Sequence, residues 1–227
     1  MNLKELALPP WEADAHPQQP APARVTRFMR EAERRIDALF ASGRNRRLPR
    51  FIPADAGAVY AALEHITRED LPVGRVFCEW GSGFGVATCL ASLLGYNAWG
   101  IEIEQELVEH ARALISDQDI AAHILNLSYL PEGFEAYAGS GATELLTPEM
   151  QAHAGTPRDN RLAQPPARYE GMPCDTDEID VFYVYPWPGE QEMMLELFDH
   201  LATDGAILLC YLGDGEMAGY QQIGDGW

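Results

Sequence analysis

The sequence predicts a three-layer α/β/α domain built on a mostly parallel sheet. Three observations carry that prediction. Short apolar runs alternate with helical patterns from residue 75 onward, a glycine-rich turn follows the first run, and an acid ends the second. Strands alternating with helices of this length are βαβ units, and their parallel sheet is covered on both faces. The right-handed crossover then sets consecutive strands side by side.

Residues 1–23 carry five prolines and little apolar periodicity, which predicts an extended Pro-rich arm. From Val25 the pattern turns helical: Val25, Phe28, Met29, Ile36, Leu39 and Phe40 share one face, and Gly43 ends the run. A basic loop, Arg44 to Pro53, leads to a second helix over 54–66. Residues 24–73 are therefore read as an N-terminal helical cap.

The main domain, 74–227, begins with a strand at Arg75–Trp80, the turn Gly81-Ser-Gly-Phe-Gly85 and a helix over 86–94. A strand over 97–102 and a helix over 105–115 follow, the helix with Leu107, Val108, Ala111 and Leu114 on one face. Residues 122–129 form a third strand. Residues 131–178 break the rhythm as a long insertion, with a short helix expected over 142–151; a loop of this length is usually functional or disordered. The rhythm returns with a strand over 179–185, a helix over 190–202 and a strand over 206–212. The last fifteen residues contain five glycines and no convincing strand. The sheet is expected to stop at five strands.

Composition sets bounds on function. The 227 residues are 47% hydrophobic and 22% charged, ordinary globular values that exclude a disordered or fibrous chain. No stretch approaches the roughly 18 apolar residues of a membrane span, and the N-terminus lacks a signal peptide's features. The four cysteines show no C-x-x-C spacing and three sit in apolar runs, which points to a reducing compartment and a cytoplasmic protein. The six histidines lack metal-ligand spacing and the acids of 175–180 read as a solvated loop edge, so no metal is expected.

Net charge is −19 but uneven. Nine of the sixteen basic residues lie between Arg24 and Arg50 beside three acids, so this segment carries +6 and the remainder −25. Such a body disfavours broad nucleic-acid binding. The basic segment reads as a helix neutralising the acidic surface it packs on.

The chemistry concentrates at Glu79-Trp-Gly81-Ser-Gly83-Phe-Gly85. Glycines after a strand allow a tight turn and a close ligand approach, and the helix opening there presents free N–H groups. Glu102, ending the next strand, offers two acceptor oxygens to a ribose diol. A nicotinamide fingerprint needs G-x-G-x-x-G, and Val86 occupies its last position. A carboxylate two residues before the first glycine suits an ammonium-bearing ligand and would repel a pyrophosphate. Simpler structural roles stay open: Glu79 as a cap on the loop, Glu102 as an acid at the next helix's N-terminus.

In these residues, over about 74–212, the chain resembles the class I S-adenosylmethionine-dependent methyltransferases, whose first motif is an acid followed by G-x-G-x-G. The resemblance implies a Rossmann-like fold, whose sheet in this family usually finishes with a sixth and seventh strand, and S-adenosyl-L-methionine as cofactor. By it Glu79, Gly81, Gly83 and Gly85 hold the methionine part, Glu102 the ribose, and Ile103 packs on the adenine. Ser128 lies near the adenine edge, with Asn126 as its rival. The acceptor side is expected at Tyr183-Val-Tyr185-Pro-Trp187-Pro-Gly-Glu190, where Tyr185 and Trp187 would position a methyl acceptor. Tyr185, Glu190 and Asp180 are base candidates by position alone.

Amino-methylating nucleic-acid enzymes carry Asp/Asn-Pro-Pro-aromatic at this point, and the tRNA guanine-N7 enzymes flank a similar Pro-Trp-Pro with an acid and a lysine. This chain has neither, so a small-molecule or protein acceptor is favoured. A non-catalytic cofactor-binding protein on the same fold and an NAD(P)-dependent oxidoreductase are the alternatives. Phe51-Ile-Pro-Ala-Asp55, ahead of the glycine motif, is a segment of the kind that closes over the cofactor in this family.

Overall fold

The computed structural model describes residues 2–11, 21–48, 50–131 and 167–224. The helix expected over 142–151 lies outside them. One seven-stranded sheet organises the chain, in the order β1-β7-β6-β5-β2-β3-β4. Its strands are β1 (Leu3–Leu6), β2 (Val76–Trp80), β3 (Asn97–Glu102), β4 (Ala122–Asn126), β5 (Val181–Val184), β6 (Ile207–Gly213) and β7 (Glu216–Gln222). The central five, β4-β3-β2-β5-β6, pair in parallel. β7 runs antiparallel to both β6 and β1.

The expectation of a sheet ending at five strands is thus corrected at both ends of the chain. β7 returns from β6 through Gly213-Asp214-Gly215, all at positive φ (102°, 49° and 82°). Asp-Gly at two positive-φ positions is a strong hairpin signal, and here it outweighs a strand of low β-propensity, Glu-Met-Ala-Gly-Tyr-Gln-Gln. The outer edge of β7 is then paired by Leu3–Leu6 from within the Pro-rich arm. The arm is extended as expected, and its first residues are a strand of the sheet. Leu6 and Leu8 pack into the core, and Trp11 lodges between the start of the second helix and the β6–β7 turn, close to Gly57 and Gly215.

Helices α1 (Ala23–Ala41), α2 (Ala56–Arg68), α3 (Val86–Leu93) and α4 (Gln105–Asp117) pack on one face. Helix α5 (Gln191–Leu201) covers the other. Strand alternation sorts the core between them. Phe77, Tyr183, Ile207 and Leu209 join Phe28, Leu63, Ile66 and Leu90 on the first face. Cys78, Trp80, Phe182 and Leu208 join Met194, Leu197 and Phe198 on the second. α1 and α2 therefore share a core with the sheet and form part of its helical layer.

The basic face of α1 lies against the acidic α4. Arg35 pairs with Asp117 at 2.7 Å, Arg44 Nε donates to Glu106 at 2.8 Å, and Arg24 donates to the Asp119 carbonyl at 2.7 Å. Exposed pairs of this kind contribute about 0–1 kcal/mol each, but they fix how α1 seats on α4. Among the described residues no helix is long and apolar enough to cross a membrane.

Candidate functional site

Parallel pairing brings the carboxyl ends of β2 to β6 to one edge of the sheet, together with the loops that follow them. The chain leaves β2 for β3 on one side and later returns through β5 on the other, so the strand order reverses between β2 and β5. Ligands of open α/β sheets bind in the crevice at such a point.

The glycine turn opens this crevice. Gly81, Gly83 and Gly85 have φ of 71°, 52° and 67°, a left-handed conformation that costs other residues roughly 1–2 kcal/mol. Gly81 faces open space, whereas Gly83 lies under the ring of Phe51 and Gly85 against Ile124 and Ala111. Phe51 continues into a stack with Phe84 at 5.4 Å between centroids. The basic loop before α2 thus folds over the glycine turn.

Glu79 and Glu102 line the two sides of the turn. Glu79 is buried, and its Oε2 accepts from both the backbone N–H (2.8 Å) and the hydroxyl (2.5 Å) of Thr88. It therefore caps the first turn of α3. Burial pushes its carboxyl up to about 8, against the opposing pull of the Thr88 bonds. Gly100 stands opposite Glu79 on β3, and a Cβ there would meet Thr88 Oγ1 at 2.6 Å and Ser82 Cβ at 2.8 Å. The missing side chain is what admits the Glu79–Thr88 pair.

Glu102 is also buried, and its two oxygens are both engaged. Oε2 accepts from Gly83 N–H at 2.7 Å and Oε1 from Glu104 N–H at 2.9 Å. Burial raises its pKa, and these backbone bonds oppose the rise. Each oxygen keeps a second lone pair, so a diol can be bound without breaking either contact. Beyond it Ile103 is 59% exposed, a large apolar side chain left bare beside a buried carboxylate.

Two buried hydroxyls at this end have no partner among the described residues: Ser82 Oγ within the glycine turn and Tyr183 OH. Tyr183 stands beside Glu79 in the β2–β5 register. Burial first, and then the nearby Glu79 carboxyl, raises the Tyr183 phenol well above its ordinary value. A buried unpaired hydroxyl costs about 1–3 kcal/mol, and either water or a ligand can supply the missing partner.

The remaining residues separate. Asn126 Nδ2 donates to the carbonyls of Glu102 (2.9 Å) and Ile103 (3.0 Å), holding the turn after β3. Ser128 Oγ accepts from Leu130 N–H at 3.2 Å. Tyr185 meets Tyr211 edge-on at 4.7 Å and leans toward the β6–β7 turn. Trp187 carries the Arg50 guanidinium 5.5 Å above its ring. Arg50 also pairs with Glu190 at 2.7 Å. Asp180 accepts from Val76 N–H at 2.8 Å at the opposite end of the strands, away from the crevice. Asp55 caps α2 through Gly57 N–H (2.7 Å) and Ala58 N–H (3.1 Å) and accepts from Trp11 Nε1.

Sequence reasoning missed Thr88, Gly100 and Arg50, and took Tyr183 only as the start of the acceptor-side run. Thr88 had a local signal, as a lone polar residue in the apolar run Val-Ala-Thr-Cys-Leu-Ala, and it is fully buried. The carboxylates of Asp175, Asp177 and Glu178 do lie within 4.8 Å of one another. Their turn already uses them: Asp175 pairs with Arg168 and forms a reciprocal cap with Glu178.

The chain is similar in structure to a methyltransferase from Geobacter sulfurreducens, with a TM-score of 0.50 and 15% identity over 90% of this chain and 93% of that one. Lower similarities are found to an RNA methyltransferase from Salinibacter ruber in complex with S-adenosyl-L-homocysteine (TM-score 0.45, 15% identity, 74% and 91% covered). Another is to a S-adenosylmethionine-dependent methyltransferase from Clostridium acetobutylicum (TM-score 0.43, 8% identity, 77% and 56% covered). No protein-family model matches the sequence, and no curated protein matches it. The likeness to the Geobacter sulfurreducens structure shows the fold: a Rossmann-like methyltransferase fold.

Proposed function

We propose that the protein is an S-adenosylmethionine-dependent methyltransferase. The observation that carries this reading is Glu102, a buried carboxylate tied to Gly83 N–H, with the open face of Gly81 on one side and bare Ile103 on the other. That set fits an adenosyl group joined to a short amino acid.

In this reading Glu102 takes the ribose hydroxyls and Ile103 lies on the adenine face, with Ser128 near its edge. Gly81, Gly83 and Gly85 let the methionine part approach the backbone, and Glu79 supplies negative charge toward its ammonium group. Tyr183 OH and Ser82 Oγ, unpartnered among the described residues, receive partners from the ligand. When bound, S-adenosylmethionine would supply an electrophilic methyl on sulfonium, with sulfur as the leaving group that keeps the C–S electron pair. The chain's task is to align the acceptor and keep water out. In this reading Phe51, over Gly83, helps to exclude water, and Tyr185 and Trp187 position the acceptor from the loop after β5. The acceptor is a small molecule or protein, in keeping with an acidic body.

The test is turnover. With S-adenosyl-L-methionine tritiated in the methyl group, label is expected in an acceptor fraction in step with S-adenosyl-L-homocysteine formation, and both are lost in Glu102→Ala. Cofactor binding without transfer to any fraction would favour a non-catalytic binding protein. Binding of NAD in its place would overturn the assignment.

A further inference from the structure

We infer that the acceptor carries a planar cation, a guanidinium or a group of its shape, and that Arg50 occupies that group's seat in the free protein. The inference rests on the methyltransferase reading above and names the substrate class of the same cleft.

The seat is made by three elements. The indole of Trp187, held between Pro186 and Pro188 after β5, offers its face to the Arg50 guanidinium at 5.5 Å. Glu190, where α5 begins, accepts from Arg50 Nη2 at 2.7 Å. Tyr129, after β4, lies within electrostatic reach of both partners: its phenol is raised chiefly by burial, then by Glu190, and lowered by Arg50. An aromatic face and a carboxylate together recognise a flat cation, because the ring quadrupole and the ionised oxygens both favour positive charge.

Three features make Arg50 a removable occupant. Its side chain is 48% exposed and that of Glu190 26%, so the contact is a surface one that exchanges with solvent. Its neighbour Phe51 lies on Gly83, so the loop that carries Arg50 also covers the glycine turn. Finally, Glu190 leaves a carboxylate oxygen without its guanidinium once Arg50 withdraws, which favours a second cation in its place. An anionic acceptor would meet Glu190 at once.

The experiment is calorimetric titration of the full chain with arginine amide, with citrulline amide, which keeps the α-amino group but lacks the guanidinium charge, and N-acetyl-aspartate amide as controls. Arg50→Ala and Arg50→Gln are expected to bind arginine amide roughly fivefold or more tighter than the unsubstituted protein, since the internal competitor is gone. Glu190→Gln and Trp187→Ala are expected to lose that gain when combined with Arg50→Gln. Equal affinity with and without Arg50, or citrulline amide binding as well as arginine amide, overturns the inference. So does aspartate amide binding that disappears with Arg50. S-adenosyl-L-homocysteine is titrated into the same proteins. Its failure to bind the folded, unsubstituted protein would overturn the methyltransferase reading, while the arginine amide series reports on the seat separately.

Discussion

Glu79 Oε2 takes both hydrogen-bond donors of Thr88, the backbone N–H at 2.8 Å and the hydroxyl at 2.5 Å. One carboxylate therefore caps the start of α3, beside Tyr183 on β5. In the proposed function the same carboxylate meets the cofactor's ammonium group, which couples its charge state to binding.

Glu79 sits at about 8 in the folded protein against an ordinary 4.5, raised first by burial. Between those values the folded state holds a proton that the unfolded chain has lost. The stability this contributes is complete below about pH 4.5 and is lost as pH rises through about 8. Glu79→Gln, whose amide oxygen can still accept from Thr88, is expected to melt near the unsubstituted protein at pH 5 and above it at pH 8.5. A cationic ligand favours the ionised carboxyl, so S-adenosylmethionine binding at pH 7 should release protons and tighten toward pH 8. Calorimetry in buffers of different ionisation enthalpy checks both; proton uptake would contradict the account.

Tyr183 carries a buried hydroxyl without a partner among the described residues. Tyr183→Phe should stabilise the apoprotein by about 1 kcal/mol while weakening S-adenosylmethionine binding. Thermal melts with and without the ligand separate the two effects. A destabilised apoprotein would mean that the hydroxyl is already satisfied.

A Cβ on Gly83 would lie 2.7 Å from the Phe51 ring, at a φ of 52°. Gly83→Ala should cost about 1–2 kcal/mol from backbone strain alone, plus the displacement of Phe51. In a double-mutant cycle Phe51→Ala should recover the second part and leave the first. Full additivity would show that Phe51 does not rest on the turn.

Trp11 packs against Gly57 and Gly215 and donates to Asp55 at 3.2 Å. Trp11→Ala should destabilise the fold by roughly 2–3 kcal/mol, less than a fully buried tryptophan because Trp11 is half-buried. Urea denaturation measures it.

What the sequence made legible was local. The strand–glycine–helix unit at 76–93 and the acid at the end of β3 follow from patterns a few residues long, and the structure puts them where those patterns direct. β1 was hidden because its partner, Glu216–Gln222, lies about two hundred residues away and neither strand is rich in β-branched residues. β7 did have a signal in Asp214-Gly215, masked by the glycine count of its surroundings. Phe51 over Gly83 and Arg50 over Trp187 are long-range contacts without periodicity, so spacing alone could not pair them. Asp180 shows the opposite case: an acid near the acceptor loop in sequence that lies at the far end of the strand.

The central claim is that the crevice between β2 and β5 binds S-adenosylmethionine through Glu102. Calorimetric titration of S-adenosyl-L-homocysteine into the unsubstituted protein and Glu102→Ala tests it most directly. The account predicts saturable binding, weakened in the variant by about 1–3 kcal/mol, the range for charge-assisted hydrogen bonds, with no heat from NAD. Absent binding by the folded protein, or equal affinity in the two, would contradict it.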